Sequence, residues 1–180
     1  MKKTQKEKTS LAVRRVAIYG VLIAMALVLS FAESQLPAFF AFPGMKLGLT
    51  NIVVVLALYR LGSGSAMALN LLRIAAASLL FGGMSAFLYS LAGGMLSAIV
   101  MILLRRFGHF SPIPVSIAGG VSHNLGQIIV AMLVMNTASI EMYMAVLWFT
   151  GMASGTLIGL LGGELVRRLP ESLFGKDEKK

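Results

Sequence analysis

Apolar residues form six long runs along the chain, and short groups of charged residues, glycine or proline separate them. The runs cover residues 16–32, 47–59, 65–80, 84–104, 114–135 and 143–166. An α-helix needs about 20 predominantly apolar residues to cross the hydrocarbon core of a bilayer. The pattern therefore predicts an all-α polytopic membrane protein with six transmembrane helices. The second and third runs are short, so we expect these helices to tilt or to be extended by their flanking loops.

The composition agrees with lipid as the surroundings of this chain. Of its 180 residues, 57% are hydrophobic and 13% are charged, and the mean hydropathy is +0.84. A soluble domain of this length needs more polar residues to cover its core. We expect a single transmembrane domain over residues 16–168, preceded by a basic segment, 1–15, and followed by a charged tail, 169–180.

The basic residues predict the orientation of the helices. The net charge is +9, and with six spans and the N-terminus in the cytoplasm only Lys46 and Arg73 fall outside the cytoplasmic segments. This bias predicts that both termini are cytoplasmic. Because the basic residues cluster at the ends of apolar runs and do not form one continuous face, we expect no nucleic acid partner. A signal peptide ending at Ser30-Phe31-Ala32 is an alternative for the first run, although this run continues smoothly into a loop.

Polar side chains inside the apolar runs indicate a binding site, because each costs a few kcal/mol in a bilayer unless it is paired or hydrated. Arg73 lies within the third run, and the fifth run carries His123 and Gln127 four residues apart, on one helical face. The candidate substrate-binding residues are Glu33, Lys46, Asn51, Asn70, Arg73, His123, Asn124 and Gln127.

We expect these groups to converge on a cavity that opens to the outside. Lys46 and Arg73 would hold an anionic or carbonyl-rich part of a ligand, and the row on the fifth helix would supply hydrogen bonds. The alternative is that Arg73 pairs with a carbonyl or with Glu33, and that the polar row only joins helices. The aromatic residues that could pack on the ligand, or form an interfacial belt, are Phe39, Phe40, Phe42 and Trp148.

Small residues predict where helices approach closely. The last run contains Gly151, Gly155, Gly159 and Gly163, which form overlapping GxxxG units. Such a row lets another helix pack against its backbone, and we favour a helix of the same chain over one from another subunit. A second small-residue set, Gly93, Gly94 and Ser97, lies in the fourth run. In the last run, Glu164 is expected to neutralise Arg167 or Arg168, and a role in proton coupling is the less favoured alternative.

The sequence lacks the motifs of common enzymes. It contains no GxxxxGK[ST] phosphate loop, no HExxH and no GxSxG, and its one aspartate, Asp177, lies in the tail. With no cysteine, thiol catalysis, disulfides and cysteine–zinc sites are excluded. We therefore expect a non-enzymatic protein without a cofactor or a metal, which depends on other subunits for any use of ATP.

Two stretches resemble a known bacterial family. Residues 43–51, PGMKLGLTN, and residues 122–127, SHNLGQ, are similar to a membrane family labelled Gx transporter or heptaprenyl diphosphate synthase component I. The resemblance covers about residues 16–166, and the family is similar to the S components of energy-coupling factor transporters. It implies a six-helix bundle in the bacterial cytoplasmic membrane, which captures a small molecule outside. Such a bundle docks on a transmembrane coupling subunit with two ATPases.

The resemblance also implies a docking motif on the first helix. Gly20 and Ala24 take the place of a small-xxx-small motif in which S components usually have two alanines. The leading hypothesis is therefore a substrate-binding subunit of an importer for a flavin, a quinone precursor or an isoprenoid-like compound. The alternatives are a non-catalytic accessory subunit in prenyl diphosphate or quinone synthesis and a structural anchor of a membrane redox complex. The chain has no DDxxD motif of the kind that soluble prenyl diphosphate synthases use.

Overall fold

The protein folds as a bundle of α-helices. The computed structural model describes residues 5–35, 48–135 and 144–174. A π-helical turn, Ser78–Gly82, joins the third helix to the fourth, and a 3-10 helix, Glu171–Phe174, follows the last. No strand occurs within these three ranges. The α-helices in the described ranges are α1, Gln5–Gln35; α2, Asn51–Arg60; α3, Ser63–Ala77; α4, Gly83–Phe107; α5, Pro112–Met135; and α6, Met144–Arg168.

Within the described residues, four helical segments are long and apolar enough to cross a membrane, which indicates a membrane protein. They are Ala12–Gln35, Ser63–Phe107, Pro112–Val134 and Met144–Arg168. The all-α membrane class is thus confirmed, whereas the number of segments is smaller than the six predicted spans. One reason is that the 45-residue segment contains two of the predicted runs. The other is that α2 has only 10 residues, or about 15 Å of helix.

The 45-residue segment folds back on itself as an antiparallel hairpin of α3 and α4. Asn70 Nδ2 donates a hydrogen bond of 2.9 Å to the Gly94 carbonyl, 24 residues further along the chain. A continuous helix would separate these residues by about 36 Å, so the chain must reverse between them. The reversal follows the π-helical turn and falls at Gly83, whose φ of +81° is readily adopted only by glycine.

Helices α4, α5 and α6 pack through glycine. A Cβ added to Gly126 of α5 would lie 2.8 Å from Gly93 Cα of α4, and one added to Gly155 of α6 would lie 2.7 Å from Ile117 Cα of α5. Gly151 and Gly159 also face the backbone of α5. Three of the four predicted glycines, Gly151, Gly155 and Gly159, therefore lie against a helix of the same chain, because any larger side chain there would collide with main-chain atoms. At Gly163 an added Cβ would lie 3.5 Å from Pro112 Cβ, which is an ordinary contact.

The short helix α2 lies inside the bundle. All eight residues from Asn51 to Leu58 are buried, as expected for a helix that is apolar on every side. Gly162 of α6 makes room for it, since a Cβ there would lie 3.1 Å from Val55 Cγ1. Burial within protein explains why α2 can form with so few residues.

One end of the bundle carries most of the described arginines, and we call it the basic end. The 3-10 helix after α6 is held at this end by hydrogen bonds. Arg60 donates to Glu171 Oε1 at 2.9 Å and to the Leu169 carbonyl at 2.7 Å. Arg14 of α1 donates to the Ser172 carbonyl, and Phe174 is buried in the core. Three elements far apart in sequence thus meet at the basic end.

A candidate ligand site around Arg73

A polar cavity lies near the opposite end of the bundle, between α1, the turn before α2, α3, α4 and α5. Its position follows from α1, where Glu33 lies about 28 Å along the helix from Arg14 of the basic end. Of the candidate residues, Glu33, Arg73 and His123 face this cavity together. The complete lining among the described residues is Ser30, Glu33, Gly48, Thr50, Arg73, Ile74, Ala77, Ser90 and His123.

Arg73 is the buried cation of this cavity, with 7% of its surface exposed. Its Nε and Nη2 donate to Asn70 Oδ1 at 3.1 and 2.9 Å, and Nη2 also donates to Asn51 Oδ1 at 3.0 Å. All its hydrogen bonds within the described ranges therefore go to two amide oxygens. Buried charges need such partners, because desolvation alone would strongly destabilise them. Asn51 and Asn70 thus fix the direction of the guanidinium.

Glu33 supplies the negative charge of the cavity. It is also 7% exposed, its Oε1 accepts the backbone N–H of Gly48, and its charge attracts the Arg73 guanidinium. Ser30 Oγ lies one turn earlier on α1, 3.4 Å from Thr50 Oγ1. These contacts bind the end of α1 to the start of α2 and close one wall of the cavity.

The cavity is small. Only about 10 Å³ is open to the centre of a water molecule, which is about the room that one water needs. On the same measure an apolar groove on the outer side of the α3–α4 hairpin offers about 430 Å³. This groove is lined by Ala75, Ser78, Leu79, Gly83, Met84 and Phe87. A ligand of vitamin size therefore requires a wall of the polar cavity to move.

The polar row on α5 divides between two helices. His123 faces the cavity and is 5% exposed. Asn124 turns to α6, where its Nδ2 donates to the Leu147 carbonyl at 2.8 Å and lies 3.4 Å from Thr150 Oγ1. This is the helix-joining contact that the alternative interpretation predicts. Gln127 is 1% exposed and packs on α4, with Cγ 3.0 Å from where a Cβ of Gly93 would be.

Several predicted residues take no described part in the cavity. Lys46, Phe39, Phe40 and Phe42 lie outside the described residues. Trp148 is 52% exposed on α6 and is not part of the described lining. Gly20 and Ala24 are exposed on α1, and a Cβ added to Gly20 would meet no atom of the described chain within 4 Å.

The hydroxyl groups of the cavity are not among the residues predicted from the sequence. Ser30, Thr50 and Ser90 are all buried there. A signal for two of them was present, because Ser30 precedes Glu33 by three residues and Ser90 precedes Ser97 by seven, which are helical spacings. Serine is common in membrane helices, so the spacing by itself would not have separated these residues from packing serines.

Fold and site together define a class, an all-α membrane protein with a charged and hydroxylated cavity enclosed by its helices. Among the described residues, no group of three or more His, Asp or Glu could hold a metal ion. The chain belongs to the family described as heptaprenyl diphosphate synthase component I, whose model matches residues 22–165. This confirms the predicted resemblance to that family. No curated protein and no solved structure gives a significant match.

Proposed function

We propose that the protein is the substrate-binding membrane subunit of an importer of the energy-coupling factor type. The observation that supports this most directly is the meeting of Arg73, Glu33 and His123 around one buried cavity. Charged groups inside a membrane protein are energetically costly and therefore rare, and they commonly mark a functional site. An anionic or carbonyl-rich group of the ligand would bind Arg73, and His123 would add a hydrogen bond. Asn51 and Asn70 would position the guanidinium, and Lys46 would lie at the rim.

In this proposal the helices cross the bacterial cytoplasmic membrane six times, with both termini in the cytoplasm. The α3–α4 hairpin supports two crossings within the 45-residue segment. The positive residues at the basic end support a cytoplasmic position for that end. The polar cavity then lies toward the outside, where a ligand would enter after the wall formed by α1 and α2 moves away.

Transport would need energy from other subunits. The sequence has no phosphate-binding loop, so we propose that α1 docks on a transmembrane coupling subunit that carries ATPases. The exposed residues Gly20 and Ala24 support a docking surface on α1, because small residues let a partner helix approach closely. Replacing Gly20 by Leu should leave the fold intact and weaken co-purification with the coupling subunit. Unchanged recovery would speak against this docking face.

A second candidate function is that of a non-catalytic accessory subunit for prenyl diphosphate synthesis. The description of the family favours it, and so does the apolar groove on the α3–α4 hairpin, which has room for an isoprenoid chain. In this case the groove, rather than the Arg73 cavity, would decide which molecule binds. A bulky substitution at an exposed residue of the groove, such as Leu79→Trp, would then abolish binding of geranyl diphosphate.

Native mass spectrometry of the purified protein is the test of the importer proposal. We expect a small molecule to co-purify with the wild type and to be lost from Arg73→Ala and His123→Ala. Arg73→Lys keeps the charge without the planar fork and should retain part of the ligand. Ser122→Ala, on the same helix as His123, is the control, because Ser122 donates only within α5. If no molecule co-purifies and no vitamin, flavin or quinone precursor stabilises the protein, the importer proposal is wrong.

A further inference from the structure

Gln127 is a buried amide whose hydrogen-bonding capacity is unused within the described chain. It is 1% exposed, and neither Nε2 nor Oε1 has a hydrogen-bond partner among the residues that the structure describes. Asn124, one turn away on the same helix, has its Nδ2 satisfied by α6. Unlike Asn124, Gln127 therefore makes no hydrogen bond to another described helix, although its side chain packs on α4.

The side chain of Gln127 lies beside that of His123. A Cβ added to Gly93 of α4 would lie 3.0 Å from Gln127 Cγ and 3.1 Å from His123 Cε1. Both side chains therefore pack against the backbone of α4 at Gly93. His123 lines the polar cavity, so Gln127 lies directly beside a residue of the cavity wall, although it is not itself part of the described lining.

An unsatisfied amide in a protein interior destabilises the fold by the lost solvation of its donor and acceptor. Here both halves of the amide are affected. A carbonyl or a phosphate oxygen of a ligand could satisfy only the donor, Nε2. To satisfy both atoms at once, a ligand needs a donor and an acceptor side by side in one plane, which is the edge of a cyclic amide or imide.

We propose that Gln127 recognises the lactam or imide edge of a flat heterocyclic ligand through two parallel hydrogen bonds. This inference rests on the proposed function and narrows its ligand class. Heterocycles with such an edge, flavins among them, satisfy both amide atoms, whereas quinones and isoprenoid phosphates carry acceptors only. Gly93 contributes by keeping the opposite wall flat, since any side chain there would collide with Gln127 and His123.

The test is binding of matched probes to the full-length protein in detergent. Riboflavin carries the imide edge, and 3-methylriboflavin has the same ring with the imide N–H blocked. We expect riboflavin to bind the wild type at least about tenfold more tightly than its methylated analogue, the loss that one buried hydrogen bond produces. In Gln127→Met, which has similar length and no amide, this preference should disappear.

Thermal unfolding without a probe separates recognition from a structural role. If Gln127 is reserved for a ligand, Gln127→Met removes an unsatisfied amide and should unfold at the same temperature as the wild type or higher. If an internal water satisfies the amide, Gln127→Met should unfold at a lower temperature and retain the preference for riboflavin, and this result would overturn the inference. Ser122→Ala is the control on the same helix.

The two proposals fail in different ways. In one outcome, menadione or geranyl diphosphate binds in a way that depends on Arg73 but not on Gln127, and riboflavin does not bind. This outcome would agree with the importer proposal and refute the recognition of a heterocycle by Gln127. Absence of binding by every probe would refute both.

Discussion

Arg73 donates from both Nε and Nη2 to a single oxygen, Oδ1 of Asn70, at 3.1 and 2.9 Å. The two residues are one helical turn apart, and the other end of the same amide donates to the Gly94 carbonyl of α4. One asparagine side chain therefore links the buried cation to the hairpin partner of its own helix. The position of Arg73 depends on how α3 and α4 are paired.

Replacing Asn70 by Leu should destabilise the protein by about 2–3 kcal/mol, because it leaves a buried guanidinium short of an acceptor and a carbonyl short of a donor. Asn70→Asp keeps the acceptor and adds a charge that attracts Arg73, which offsets part of the repulsion between its second oxygen and the Gly94 carbonyl, so its effect should be smaller. Thermal unfolding in detergent measures both. Leu72→Ala, a change at a side chain that is 54% exposed on α3, is the control, and an equal loss there would contradict the role of Asn70.

Replacing Gly155 by Ala should destabilise the packing of α5 on α6 by about 1–3 kcal/mol. The added Cβ would lie 2.7 Å from Ile117 Cα and from the Ser116 carbonyl oxygen, and backbone atoms cannot move aside as a flexible side chain can. Gly64→Ala, in α3, is the matched control, since a Cβ there meets no described atom within 4 Å. Unfolding temperatures of the two variants should move in opposite directions or differ by several degrees.

The six-span topology predicts the side of the membrane on which each hairpin turn lies. The chain has no cysteine, so single cysteines can be introduced at exposed serines without a background. Ser85→Cys, at the start of α4, should react with a membrane-impermeant maleimide in intact cells. Ser111→Cys, before α5, should react only after lysis. Reaction of both in intact cells, or of Ser111→Cys alone, would show that the topology is wrong.

Replacing Arg60 by Ala should release the C-terminal 3-10 helix from the basic end. The guanidinium holds Glu171, the Leu169 carbonyl and the Val166 carbonyl at once. A cysteine introduced at Phe174, which is 8% exposed, should then be labelled faster than in the protein with Arg60. Glu171→Gln should have a smaller effect, because it weakens a single pair whose carboxylate is 54% exposed.

Periodicity predicted the helices well because apolar runs are long and the breakers between them are distinct. It also placed Arg73 and Asn70 on one face, since a spacing of three is local information. The count of spanning segments differed where local information ends. Nothing in the composition of the second run, residues 47–59, shows that the helix formed there has only 10 residues and is buried by its neighbours.

The cavity was predicted only in part for the same reason. Glu33 and His123 were chosen because charged and polar groups in apolar runs are conspicuous, and the structure brings both to the cavity. Asn124 and Gln127 differ because their side chains face different helices, α6 and α4. That depends on the rotation of α5 between α4 and α6, which is a tertiary property. Sequence spacing alone groups the two amides in one row.

Helix α2 touches both ends of the molecule through its first and last residues. Asn51 accepts a hydrogen bond from Arg73, and Arg60 holds the C-terminal 3-10 helix. Only about 15 Å of rigid rod lies between them, and the rod is enclosed by its neighbours along most of its length. A shift of Asn51 along the axis of this short helix would also shift Arg60, so the cavity and the basic end share one structural element.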